Sequence, residues 1–100
     1  MAKKTTPEIQ LFCDAVLSLE TPEEVKAFFD DLCTPQEIHS ISQRLLVADM
    51  LRQNKPYLEI ANSTGTSTAT ISRVKRTVNM SGKGYKIIFK RIDEKKKAEK

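Results

Sequence analysis

Apolar residues recur along the chain at the three- and four-residue intervals of an α-helix, and no segment alternates with the two-residue period of a half-buried strand. Ile9, Phe12, Val16 and Leu19 make one stripe, Val25, Phe28, Phe29 and Leu32 a second, and Ile38, Ile41, Leu45, Ala48 and Leu51 a third. The third is the longest, roughly 18 residues, and should end near Lys55-Pro56, because the residue ahead of a proline is pushed out of helical geometry. A shorter helix over residues 56–63 follows, then one from residue 67 or 68 to 76, and Tyr85, Ile88, Phe89 and Ile92 predict a last one. The pattern predicts an all-α fold of six helices.

The polar positions between the stripes carry helix starts. Thr6-Pro7, Thr21-Pro22 and Thr34-Pro35 each place a hydroxyl at the capping position and a proline at the first helical position, where no N–H is needed. Glu24 and Glu37 stand where a capping box would close, and the first copy lacks that glutamate. The sequences between the copies are unlike, so they are shared punctuation and not the repeats of a solenoid. MSGKG, with Gly82 and Gly84, reads as a flexible joint, and DEKKKAEK from Asp93 to Lys100 as a frayed, solvated tail.

Residues 57–76 spell helix, short turn, helix. Two helices crossing at a fixed angle need a small residue at the contact, a turn residue that tolerates positive φ, and apolar residues on the shared inner face. Ala61, Gly65 and the set Ile60, Ile71 and Val74 fill those roles, with Ser67 or Thr66 as the cap of the second helix. That second helix opens on poor helix formers. Thr68, Ala69 and Ser72 would face outward, short enough for the backbone to approach a major-groove floor and meet base edges and thymine methyls. Thr70 and Arg73 are further candidate DNA contacts, and Lys75 and Arg76 lie toward the phosphates.

Charge strengthens this picture. Up to Glu59 the chain has ten acids against six bases, and from Ile60 onward eleven bases against three acids. Between Glu59 and Asp93 there is no acid, while Arg73, Lys75, Arg76, Lys83, Lys86, Lys90 and Arg91 supply seven bases, the footprint expected of phosphate contacts. One hundred residues with six aromatics permit a single domain with a modest core, which gains by dimerising.

Other chemistries find little support. Cys13 and Cys33 are far apart and His39 is the sole histidine, so neither a metal site nor a disulfide framework is expected. Both thiols are expected to be buried or half-buried, and His39 to lie at the surface. No acid–base or nucleophile constellation suggests an enzyme. The N-terminus lacks a signal-peptide core and no apolar run approaches membrane-spanning length, which leads us to expect a cytoplasmic protein with no membrane partner.

The segment from Leu32 to Asn79 resembles the Trp repressor family, and within it the YerC/YecD-type regulators. The motifs that carry the resemblance are LCTPQE, Arg44 within SQRLLVADML, and TATISR at 68–73. It implies an intertwined homodimer, in which the first three helices of both subunits form the core and the last packs across onto the partner. It also implies an effector site: in tryptophan-binding members a threonine before the long helix, an arginine within it and an arginine of the recognition helix hold the ligand. Those positions are Thr34, Arg44 and Arg73 here, and the serine that holds the ligand's amino group is Thr77. The family's pocket glycine is Val74, whose branched side chain would intrude on an indole, so tryptophan is not expected; no cofactor is expected, and a smaller effector could use Arg44 and Arg73. Arg44 has a second reading, as a partly buried arginine paired with Glu37, Asp49 or a carboxylate of the partner subunit, and the capping role of Thr34 needs no ligand.

The expected function is that of a homodimeric, sequence-specific transcription regulator, a repressor, acting on double-stranded DNA at a near-palindromic operator. The alternative is a helical protein–protein interaction module without specific DNA binding.

Overall fold

The structure, a computed structural model, describes residues 5–99. It contains α1 (Pro7–Leu17), α2 (Pro22–Leu32), α3 (Pro35–Arg52), α4 (Tyr57–Thr64), α5 (Thr68–Met80) and α6 (Lys83–Ala98), with no strand among the described residues. Both the class and the helix count agree with the apolar spacing. The chain groups into two compact units, Met1–Ile38 and His39–Lys100, whose boundary falls inside α3.

In the first unit each threonine caps as its motif predicts. Thr6 Oγ1 accepts from the Ile9 N–H at 3.2 Å, and Thr21 and Thr34 accept from Glu24 and Glu37 at 3.1 Å each. Glu37 completes the box by accepting from the Thr34 N–H at 2.8 Å, whereas Glu24 reaches one residue further back, to the Glu20 N–H. Phe29 meets both Phe12 and Phe28 edge-on, at 6.4 and 5.2 Å between ring centroids. Yet no residue of α1 or α2 is fully buried. Cys33 is half-buried, but Cys13, expected to be at least half-buried, is exposed, because this chain leaves the surface of α1 largely open.

The second unit holds the core: Val47, Ala48, Ile60, Ile71, Val74 and Phe89, from α3, α4, α5 and α6. Ala48 lies on the expected stripe of α3, but Ile41 and Leu45 on that stripe are 47% and 40% exposed, and Val47 beside it is fully buried. The latter half of α3 is apolar on several flanks, so spacing cannot tell which flank its own chain covers. The helix is ended by Asn54, at φ 63°, ahead of the proline. With Asn54 left-handed, its N–H reaches the Leu51 carbonyl at 2.9 Å and the Lys55 N–H reaches that of Met50 at 3.1 Å, the paired bonds that close a helix C-terminus.

The stretch read as a flexible joint is a corner of two residues, Ser81 and Gly82, with Gly82 left-handed at φ 48°. The tail also differs from its expectation, since α6 continues through residues 93–98, exposed but helical; Lys100 lies outside the described residues. Arg52 gives α6 a reason to hold there. Its guanidinium bonds Asp93 with two nitrogens, at 2.8 and 3.1 Å, bonds Asp49 at 2.7 Å, and lies 4.2 Å over the Phe89 ring. The bonds from Arg52 hold the Asp93 carboxyl below its usual range, with Lys96 and Lys97 adding smaller contributions.

Candidate nucleic-acid interface

Gly65 closes α4 in the left-handed conformation, φ 71°, and donates its N–H to the Ala61 carbonyl at 2.9 Å. The turn is further tied by hydroxyls. Thr64 Oγ1 donates to the Ile60 carbonyl at 2.7 Å and accepts from the Thr66 N–H at 3.2 Å, and its oxygen lies 2.7 Å from that of Thr66. Thr66 is thereby nearly buried, and the cap of α5 falls to Ser67, which accepts from the Thr70 N–H at 3.2 Å. Gln43 of α3 donates from Nε2 to the Thr64 carbonyl at 2.7 Å, giving one of the last carbonyls of α4 a partner. Gln43 has no local signal in the sequence, since it stands between Ser42 and Arg44 with His39 and Ser40 one turn before it.

Ile60 and Ile71 are fully buried and Val74 is 3% exposed, so the inner face of the helix pair is the expected one, with half-buried Ala61 packed against it. This fixes the rotation of α5. Thr68, Ala69, Ser72, Arg73 and Arg76 are exposed. Thr70 is half-buried and its hydroxyl lies 3.1 Å from Ser67 Oγ, where it supports the cap. The Lys75 ammonium lies 5.4 Å from the centre of the Tyr57 ring, an attraction that holds the amine beside the first turn of α4.

The possible effector residues fall in both units. Thr34 lies in the first unit, where it caps α3. In the second, Arg44 and Arg73 are exposed, and Asp49 pairs with Arg52 rather than with Arg44. Glu37 is engaged by the Thr34 cap. Thr77 donates to the Arg73 carbonyl at 3.4 Å and lines an open groove of about 510 Å³ with Leu45, Gly82, Tyr85 and Ile88. Val74 points into the core, not into this groove. No group of three or more histidine, cysteine or acidic side chains suited to a metal occurs among the described residues, and no described helix is long and apolar enough to cross a membrane.

Comparison with known proteins agrees with this geometry. The family model for the Trp repressor protein matches residues 7–93. The Bacillus subtilis (strain 168) protein YerC is 52% identical over 85 residues, which cover 85% of this chain and 81% of that one. The crystal structure of a TrpR-like protein from Eubacterium eligens ATCC 27750 superposes with a TM-score of 0.84 at 48% identity, covering 88% of this chain and 91% of the other. A structure from Staphylococcus aureus gives the same TM-score at 46% identity, covering 89% of each chain.

Proposed function

Because the chain belongs to the Trp repressor family, we propose that it is a homodimeric, cytoplasmic transcription regulator, a repressor, that reads a near-palindromic operator with α5. The observation that carries this reading is the exposed face of α5. Small residues, Ala69 and Ser72, lie between Thr68 and the cations Arg73 and Arg76, on a helix held by a buried Ile60, Ile71 and Val74 seam. Short side chains let the helix backbone come close to base edges, and the arginines reach outward to phosphates. With no acid between Glu59 and Asp93, nothing on α5 repels a polyanion.

Two recognition helices related by a twofold axis would enter successive major grooves about 34 Å apart, so the bound sequence should share that symmetry. Selection of bound duplexes from a random pool by the purified protein tests this. Two inverted half-sites separated by about one helical turn are expected. A pool that binds without any enriched sequence would favour a protein–protein interaction module instead. The family is one of regulators, and no catalytic role is proposed.

A further inference from the structure

We propose that α6 carries a second phosphate-binding surface, in which Lys83, Lys86 and Lys90 form a track for duplex DNA flanking the segment read by α5. This rests on the DNA-binding reading above and extends it to an element outside the helix-turn-helix.

The spacing of three and four residues puts these lysines on one flank of the helix, and Lys97, seven beyond Lys90, continues the line. The rotation of α6 is fixed by other contacts. Phe89 is buried and stacked on Tyr85, with ring centroids 6.1 Å apart, while Arg52 covers Phe89 and grips Asp93. On the other flank Ile88 and Ile92 border apolar grooves shared with Leu45 of α3. Lys83 stands at the rim of the first of these grooves and Lys90 borders neither, and all three lysines are exposed.

Placement favours DNA as the occupant. Lys83 opens α6 with only Ser81 and Gly82 between it and the end of α5 at Met80, and the corner is tight, since a Cβ on Gly82 would lie 2.9 Å from the Val78 carbonyl oxygen. The track therefore begins where the recognition helix stops. Lys86 lines the crevice between α5 and α6 with Val78 and Gly82. Among the described residues, the ion pairs engage Lys26, Arg52 and Lys55 and none of the three track lysines. Asp93 and Glu94, three and four residues after Lys90, are the acids nearest this line, and Asp93 is held by Arg52. From Lys83 to Lys97 the helix extends about 21 Å, long enough to pass several phosphates beyond the groove that α5 enters.

The test measures how DNA affinity varies with salt for the full chain on random-sequence duplexes of about 40 and about 20 base pairs, the shorter spanning little more than two half-sites. The variants are Lys86→Gln/Lys90→Gln, the charge-matched Lys26→Gln/Lys55→Gln, and Arg76→Gln. Both track lysines are exposed, and circular dichroism with a melting curve checks that the fold persists. On the longer duplex the track variant should lose about 1.8 from its log–log salt slope per protomer, roughly 0.9 for each phosphate contact. The loss should be clearly smaller on the shorter duplex, and the charge-matched variant should keep the wild-type slope. An unchanged slope in the track variant, or an equal loss on both lengths, overturns the α6 proposal. If Arg76→Gln still lowers the slope in that case, the reading of α5 stands. If wild type fails to bind either duplex, both fall.

Discussion

Gly65 and Gly82 both hold left-handed backbone, but their surroundings set different costs for a side chain. A Cβ on Gly65 meets nothing within 4 Å, whereas on Gly82 it would lie 2.9 Å from Val78 O and 3.1 Å from Val78 Cα, backbone atoms that cannot swing aside. Gly65→Ala should cost only the left-handed preference, about 1 kcal/mol. Gly82→Ala should cost at least twice as much, about 2 kcal/mol or more, through collision added to strain. Urea unfolding of the two variants measures the difference, and equal losses would contradict it.

Val74 poses a different residue-scale question, because it stands where tryptophan-binding relatives are expected to have glycine. It is packed in the core with Ile60 and Ile71, where it holds α5 against α4 whether or not a ligand is present. Millimolar tryptophan should accordingly leave wild-type affinity for a selected operator within tenfold, about 1.4 kcal/mol of coupling at most. Val74→Gly should lose stability and DNA affinity together, with no recovery on adding tryptophan, since the lost packing lies inside the helix pair. Restoration of affinity by tryptophan would show that the valine substitutes for a ligand.

Among the elements, α6 depends on one arginine. Arg52 joins Asp49 on its own helix to Asp93 and Phe89 on α6, so one exposed side chain reinforces the position and rotation that the buried Phe89 sets. The paired state lowers the Asp93 pKa from 3.8, so its contribution to stability is present above that value and is lost as pH falls through the lowered one. Asp93→Asn should be less stable than wild type at neutral pH, and the gap should close as the solution is acidified toward about pH 2. Thermal melts across that range check the direction. A gap that widens on acidification would remove Asp93 from this role.

For the molecule as a whole, the amount of apolar surface left uncovered is the main observation. Leu11 is 70% exposed and Leu17 83%, and Phe12, Ile41, Leu45, Leu46, Ile88 and Ile92 are each more than a third exposed. In the proposed homodimer a second copy of the chain would cover surface of that kind. Sedimentation at low micromolar concentration should find a dimer, and Leu45→Asp, on an open flank of α3, should shift it toward a poorly folded monomer. A folded, cooperative wild-type monomer under those conditions would count against the intertwined arrangement.

The helix starts, the class, the inner face of the helix pair and the basic stretch after it were legible in the sequence, because each depends on neighbours within about one or two helical turns. Thr34 with Glu37, and Ile71 with Val74 on α5, are cases in point, found where local spacing put them. Tertiary structure alone decided what depends on distant partners. It selected Val47 over Ile41 as the buried residue of α3, assigned Thr66 to the turn and Ser67 to the cap, and joined Arg52 to Asp93 across 41 residues. It also turned a glycine-rich stretch into a tight corner, since whether a glycine marks freedom or crowding depends on the atoms packed against it, which at Gly82 belong to the backbone of Val78.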